Sequence, residues 1–561
     1  MFRLVAVALV AACAYAPAAD SKLLEILKAE LDRNFKVLKE KGDPPAYYIA
    51  YAVTESESES ASASLGAITS EQRKSRIRTL DVTVRVGNPK LDNYHSLRGD
   101  FPQFTSGAAI AIDDNPNAIR RRLWAETDRV YKLAAQRLIN IRTNKEVRVA
   151  DKESSDDFSA EQPNEFAHEA PSLDFDRKDW YKRIAKVSRE FAKFPEIIAS
   201  HTGVQAVRET KYFVNSEGAS IMQGQNGARI TISAAAKAED GMDLQTFDSF
   251  NASDPKHLPK ERDLREALSH VAKDAVGLRK APLVEPYVGP AILSGRAAGV
   301  FFHEIFGHRV EGHRLKDESD GQTFAKSVGQ SVLPDFLSVV FDPTLKQAAG
   351  EDLNGWFEFD DEGVKARKVT VVEKGVLKTF LMSRTPIPGF SNSNGHGRRQ
   401  AGAEVVSRQS NLLVQAARTV PESELEKMLI EEVKKQNKPY GFYLQEITGG
   451  FTNTSRRGIQ AFKVIPLVVY RIYPDGKKEL VRGADLVGTP LASFAKIIAA
   501  GDKLDVFNGF CGAESGSVPV SAVSPALLVS EIEIQKKESS RERPPLLPAP
   551  PIKQSESGGG L

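Results

Sequence analysis

The sequence predicts an α+β protein of two domains: an N-terminal domain of mixed helix and strand over 20–285 and a sheet-rich C-terminal domain over 286–535. Three observations carry this. The 561 residues suffice for two full-sized cores. Long segments of helical period lie before about residue 280, and strand patterns dominate after it. Pro282, Pro286 and Pro290 punctuate APLVEPYVGPAILSG and mark a boundary near 285.

The chain starts MFRLVAVALVAACAYAPAAD. Arg3 precedes an apolar run from Leu4 to about Ala14, too short to span a membrane as a mature helix. Residues 1–19 are expected to be a signal peptide cleaved near Ala16-Pro17-Ala18. VAAC, 10–13, also resembles a bacterial lipoprotein box with Cys13 acylated. The expected location is therefore periplasmic or extracellular, with membrane attachment only through a lipid on Cys13. Cys13 and Cys511 are the two cysteines, so cleavage after Cys13 leaves one thiol and no intramolecular disulfide.

SKLLEILKAELDRNFKVLKEK, 21–41, has apolar residues at helical spacing, and Gly42 to Pro45 end it. Ala46 to Val53 and Arg76 to Val86 read as strands. ESESESASAS between them reads as a solvated edge strand or a flexible loop. Helices follow over 115–142, Asp176 to Phe194 and Lys260 to Leu278, with an acidic irregular loop or lid over 145–176. KYFVNSEGASIMQGQNGARITISAAAKAED suggests two strands joined at Ser216-Glu217-Gly218. In the second half, strand patterns cover 364–383, 462–481 and 526–535. The Pro/Ser/Gly-rich tail, 536–561, is expected to be disordered. A net charge of +2 gives no basic excess for a nucleic-acid partner.

Chemistry concentrates in HEIFGH, 303–308. His303, Glu304, His308, Glu311 and His313 fall within eleven positions, in a chain of nine histidines. Imidazoles are common zinc ligands, and a neighbouring glutamate can act as general base on metal-bound water. The familiar H-E-x-x-H motif spaces its histidines four apart; here they are five apart, about 140° around a regular helix. A π-bulge at Gly307 would bring them to one face, giving a distorted helix. Without it, they lie on different faces of an ordinary helix, and the hexapeptide leaves both readings open. A third ligand could be His313, Glu311 or Cys511, whose glycine-rich flanks suggest a loop.

GRAAGVFFHEIFGHRVEG, 295–312, resembles the H-E-x-x-x-H signature of the TldD/PmbA metallopeptidases. FEFDDEGV (357–364), NGHGRRQ (394–400) and NGFCGAESGSVPVSAVSPALLVSEIEI (508–534) are similar to three further family segments, in order. The resemblance covers roughly 285–535 and reaches the N-terminal half only in layout. It implies that 286–535 is a metallopeptidase domain, with His303, His308 and Cys511 holding one Zn2+ per chain and Glu304 as the catalytic base. It implies peptide or unfolded-protein substrates, and a homodimer or a heterodimer with a PmbA-like subunit. Extended peptides are expected to add as a strand to the sheet-rich half.

His313 stands where the family often has an acidic residue, which suggests a further ligand. Asn394, His396, Arg398 and Arg399 form a polar cluster, read either as substrate contacts near the metal or as a structural turn; Asp360-Asp361-Glu362 reads as structural. The rival to a zinc peptidase is a non-catalytic peptide-binding or assembly subunit with a structural metal, partner of an active homologue.

Overall fold

The computed structural model describes residues 21–97, 102–144, 155–316, 323–452, 462–488 and 490–537, with isolated positions at 545, 547 and 550. The signal peptide, Cys13 and nearly all of the tail lie outside the described residues.

The N-terminal half is built on one long sheet backed by helices. Helix α1 (Lys22–Lys41) begins where the Ser21 side chain accepts from Leu24 N. Strands β1 (Ala46–Ser64) and β2 (Ala67–Asn88) form a long hairpin. Helix α2 (Pro116–Thr143) packs with α1 on this sheet, around Leu27, Val82, Leu123 and Val130. Short strand β3 (Glu165–His168) and helix α3 (Arg177–Ser188) follow. Strands β4 (Ala199–Asn215) and β5 (Ser220–Lys237) turn at 216–219, where Gly218 takes a φ of 105°. Strand β6 (Asp243–Ala252) and helix α4 (Glu261–Lys280) complete the half. The principal order is β2-β1-β4-β5, with β3 and β6 both on β5.

ESESESASAS is neither an edge strand nor a loop. It lies in β1, paired with β2 on one side and β4 on the other. Its acidic residues face basic partners across the ladder: Glu55 is opposite Arg78, and Glu57 is opposite Arg76. The buried Glu55 carboxylate meets both Arg78 and, at 3.0 Å, Arg76. Within the expected acidic lid, residues 155–164 are irregular but β3 pairs in parallel with β5.

The C-terminal half is an 11-stranded sheet that partly closes on itself. Its principal strands are β7 (Tyr287–Leu293), β8 (Leu337–Phe341), β9 (Val369–Glu373), β10 (Asn411–Ala416), β11 (Gly441–Thr452), β12 (Phe462–Ile472), β13 (Ala484–Gly488), β14 (Ile497–Ala513) and β15 (Gly516–Lys536). Their order is β9-β8-β10-β15-β13-β12-β11-β7, and β7 pairs again with β15, closing a ring. Helix α5 (Gly295–Ile305) lies against β15 and β11, and helix α6 (Glu422–Lys435) covers β7.

α5 is buried almost all round, as its composition demands. Ser294 caps it, accepting from Ala297 N and donating to Gln445 O at 2.7 Å. Its small residues let it lie close to β15: a Cβ at Gly299 would meet Ala522 at 3.1 Å, and one at Gly295 would meet Ser524 O at 2.6 Å. Its apolar face carries Phe301 and Phe302 against Phe494.

The acidic turn of 357–364 seats the second half on the first sheet. Asp361 pairs with Lys211 at 2.8 Å, and the Gln223 amide donates to Phe359 O at 2.7 Å. Gly363 has a φ of 79°, and a Cβ there would meet Phe213 at 2.6 Å. Nearby, the buried Arg384 bonds Glu217 at 2.6 and 2.9 Å.

Phe302 immediately precedes His303 and is fully buried. Phe302→Ala is expected to cost about 3–5 kcal/mol, read as a lower urea midpoint in circular dichroism.

Candidate metal centre

The histidines of HEIFGH converge by a device other than a π-bulge. The α-helix stops at Ile305, and Gly307–Arg309 form a 3-10 turn. His303 and Glu304 therefore ride on the last turn of α5, and the tighter turn redirects His308. Their imidazole rings stand 5.2 Å apart at 81°. Gly307 has no left-handed backbone. A Cβ there would lie 1.9 Å from Gln409 Oε1, so the glycine leaves room for that amide. The same Gln409 amide donates to His303 O at 3.1 Å, holding the helix end.

Cys511 lies on a strand rather than a loop. It belongs to β14, opposite Val518 of β15, near the tip of their hairpin. Gly516, with a φ of 79°, serves the hairpin turn, while Gly509 and Gly512 continue the strand. Arg408 anchors this tip by donating to Cys511 O at 2.6 Å and Ser515 Oγ at 2.8 Å.

His303, His308 and Cys511 each offer one donor atom, all within 4.8 Å of one another. The Cys511 Sγ to His308 Nε2 distance is 3.3 Å. Donors around a tetrahedral zinc stand about 3.3–3.8 Å apart, so small side-chain adjustments suit this set to zinc. Two imidazoles and a thiolate also have the right chemistry. The Glu304 carboxylate lies 3.9 Å from His308 Nε2 and is partly exposed. β11 runs directly over it: a Cβ at Gly450 would meet Glu304 Cγ at 2.9 Å.

Behind His308 stands Glu311, fully buried, which accepts from His308 Nδ1 at 3.0 Å. This leaves Nε2 free to face Cys511 and the metal position. Arg314 bonds the same carboxylate at 2.9 and 3.0 Å. Burial pushes Glu311 up, but His308 and Arg314 outweigh it and hold its pKa at about 2. Burial likewise opposes charge on His308, yet the Cys511 thiolate and Glu311 raise its pKa well above the ordinary value. The Cys511 thiol, raised by burial, is brought well below its usual range by His308 and His303.

His313 is not brought to the metal position. Its Nε2 is bonded to Glu514, whose carboxylate also meets Arg314 at 3.1 Å. The Asn394 side chain accepts from Met382 N at 2.8 Å and donates to Phe380 O at 2.7 Å. His396 is fully enclosed and bonded to Ser410; burial pushes its pKa down to about 3, so it is neutral. Arg399 faces Asp81 of the first sheet at 3.8 Å. Arg398 alone of that cluster reaches towards the site, through Gln409. Asp360 accepts from Glu362 N, Val364 N and Gly397 N, which fits a structural turn.

Arg408, Gln409 and Glu514 were not among the residues expected from sequence. Each acts through a partner that only the fold brings near.

Residues 287–536 match the family model for the PmbA/TldA metallopeptidase C-terminal domain. A metalloprotease of Archaeoglobus fulgidus is 32% identical over 238 residues, which cover 42% of this chain and 51% of that protein. The chain thus spans about half the length of this relative. A zinc metalloprotease TldD homolog of Saccharolobus solfataricus is 23% identical over 327 residues, covering 58% of this chain and 68% of its own. The crystal structure of TldE from Thermococcus kodakarensis superposes with a TM-score of 0.63 at 14% identity, over 91% of this chain and all of that one, a likeness of fold.

Glu311→Gln is expected to weaken zinc binding about 10–100-fold in a chelator competition, because His308 loses the acceptor that orients it. In zinc-stripped protein, the ultraviolet absorbance of the Cys511 thiolate should persist below the ordinary thiol range of about 8.5. His308→Gln removes the stabilising imidazolium, so that titration should move upward.

Proposed function

We propose, from the premise that this chain belongs to the TldD/PmbA family, that it is a zinc-dependent metallopeptidase acting on peptides or unfolded protein segments. The observation that carries the reading is the convergence of His303, His308 and Cys511 within 4.8 Å, with the Glu304 carboxylate beside them. Three protein ligands leave a coordination position for substrate or water, as catalytic zinc sites require. That His313 is absent from the converging donors and bonded to Glu514 supports an open position.

His303 Nε2 or Nδ1, His308 Nε2 and Cys511 Sγ would hold one zinc ion per chain. Zinc in such a site polarises a carbonyl and makes water easier to deprotonate. Glu304 is placed to take a proton from the attacking water on its carboxylate and to pass it to the leaving amine. Its place on the last turn of α5, with the backbone of β11 above it, supports that role. Glu311, with Arg314 behind it, holds the proton on His308 Nδ1 and keeps the ring oriented.

β11 supports binding of an extended chain. Its pairing with β7 covers only Phe442 to Leu444, while the strand continues past Glu304 to Thr452. Among the described residues, that later edge has no further strand partner on the β7 side. A peptide added there would run past the catalytic carboxylate. The leader-like residues 1–19 support export, and a homodimer or a heterodimer with a PmbA-like subunit completes the proposal.

The test compares wild type with Glu304→Gln, measuring zinc by mass spectrometry and hydrolysis of an unfolded protein on the same samples. Equal zinc, near one per chain, with hydrolysis only in wild type is expected. Zinc in both and hydrolysis in neither would favour the assembly-subunit reading.

A further inference from the structure

Buried guanidinium groups in this protein face carboxylates. Arg85 bonds Asp92 at 2.7 Å, Arg384 bonds Glu217 at 2.6 Å, and Arg408 stands 3.4 Å from Glu311. Arg78 lies between Glu55 and Asp114, and Arg399 faces Asp81. Such pairing is what a low-dielectric interior demands.

Arg398 differs from these. Only 6% of it is exposed, and its guanidinium stacks on Phe357 at 4.8 Å. One nitrogen, Nη1, donates to Gln409 O at 2.5 Å. Among the described residues, Nε and Nη2 have no hydrogen-bond acceptor, and no carboxylate lies within salt-bridge distance. Asp361, the acid across the cleft, is already bonded to Lys211 at 2.8 Å and to Arg399 N at 2.8 Å. Burial lowers the Arg398 pKa to about 10, opposed by Asp361, so the group keeps its charge at neutral pH.

The free side of Arg398 opens into the cleft between the two halves, which it lines with Lys211 and Trp356 and with the acids Glu209, Glu358, Asp360 and Asp361. This cleft adjoins the metal centre through Gln409. Gln409, which receives the Arg398 bond, donates to His303 O.

We propose that Arg398 is a substrate subsite for a carboxylate, supplied by the peptide's own C-terminus or by an acidic side chain close to the scissile bond. This deepens the peptidase reading and rests on it. A planar guanidinium with one edge held and another free suits the paired oxygens of a carboxylate. Phe357 fixes the plane of that fork, and a substrate carboxylate would supply the direct partner that its free edge lacks.

The test uses zinc-loaded Glu304→Gln full-length chain, which holds peptide without turning it over. It is offered synthetic peptide pools identical except for Glu against Gln, and for a free against an amidated C-terminus. Retained peptides are counted by mass spectrometry. One of the two acid forms should be retained about tenfold over its amide, and which one identifies the source of the carboxylate. Adding Arg398→Gln should abolish that preference without changing zinc content, and Arg398→Lys should leave it reduced. Equal retention of acids and amides, or a preference that survives Arg398→Gln, overturns the proposal. Should Arg398→Gln not fold, Arg398→Lys decides: a weaker preference supports the subsite, and an unchanged one overturns it. An acid preference without hydrolysis by wild type would leave the subsite standing while the peptidase reading falls.

Discussion

The contact between Cys511 Sγ and His308 Nε2 joins positions 203 residues apart, and much of the C-terminal half serves to make it reproducible. A donor set for a metal tolerates little misplacement, so helix end and hairpin tip must be fixed to a common frame. β15 is that frame. It pairs with β14, which carries Cys511, and its backbone is the surface on which Gly295 and Gly299 let α5 settle. The closed path through β13, β12, β11 and β7 leaves β15 little room to shift. Gln409 and Arg408, from the segment entering β10, then tie His303 and Cys511 to adjacent residues.

The periodic helices and the strongly alternating strands were legible in the sequence, because each carries its own pattern over many residues. So were the histidines, the glutamate and the cysteine as a set, though through resemblance more than through spacing. What escaped was decided by partners distant in sequence. ESESESASAS reads as solvated until Arg76 and Arg78 are placed opposite Glu57 and Glu55. Cys511 reads as a loop residue because glycines surround it, yet those at 509 and 512 lie within a paired strand. His313 has the chemistry of a metal ligand, but it is not among the donors that converge, and its Nε2 is bonded to Glu514, 201 residues away.

The charges behind the metal position are balanced as one unit. Glu311 alone would be very costly at zero exposure, as would Arg408. With His308, Arg314 and Arg408 around it, the carboxylate is retained as an anion and its position is determined from several sides. Glu514 extends the arrangement to His313. The consequence for chemistry is directional: acceptor pressure on Nδ1 of His308 makes Nε2 the nitrogen available to a metal.

The five-residue spacing of the histidines also has a physical use. In a continuous helix, His303, Glu304 and His308 would move as one rigid body, and any change in the angle of one would carry the others with it. Ending the helix at Ile305 separates two jobs. Glu304 remains on regular helix, beneath β11, where the direction of its carboxylate follows from helix packing. His308 sits on the 3-10 turn, where Glu311 and Cys511 set its angle. The extra residue thus allows the proton-handling group and the second imidazole to be positioned by different neighbours, and Gly307 leaves room for the Gln409 amide that braces the junction between them.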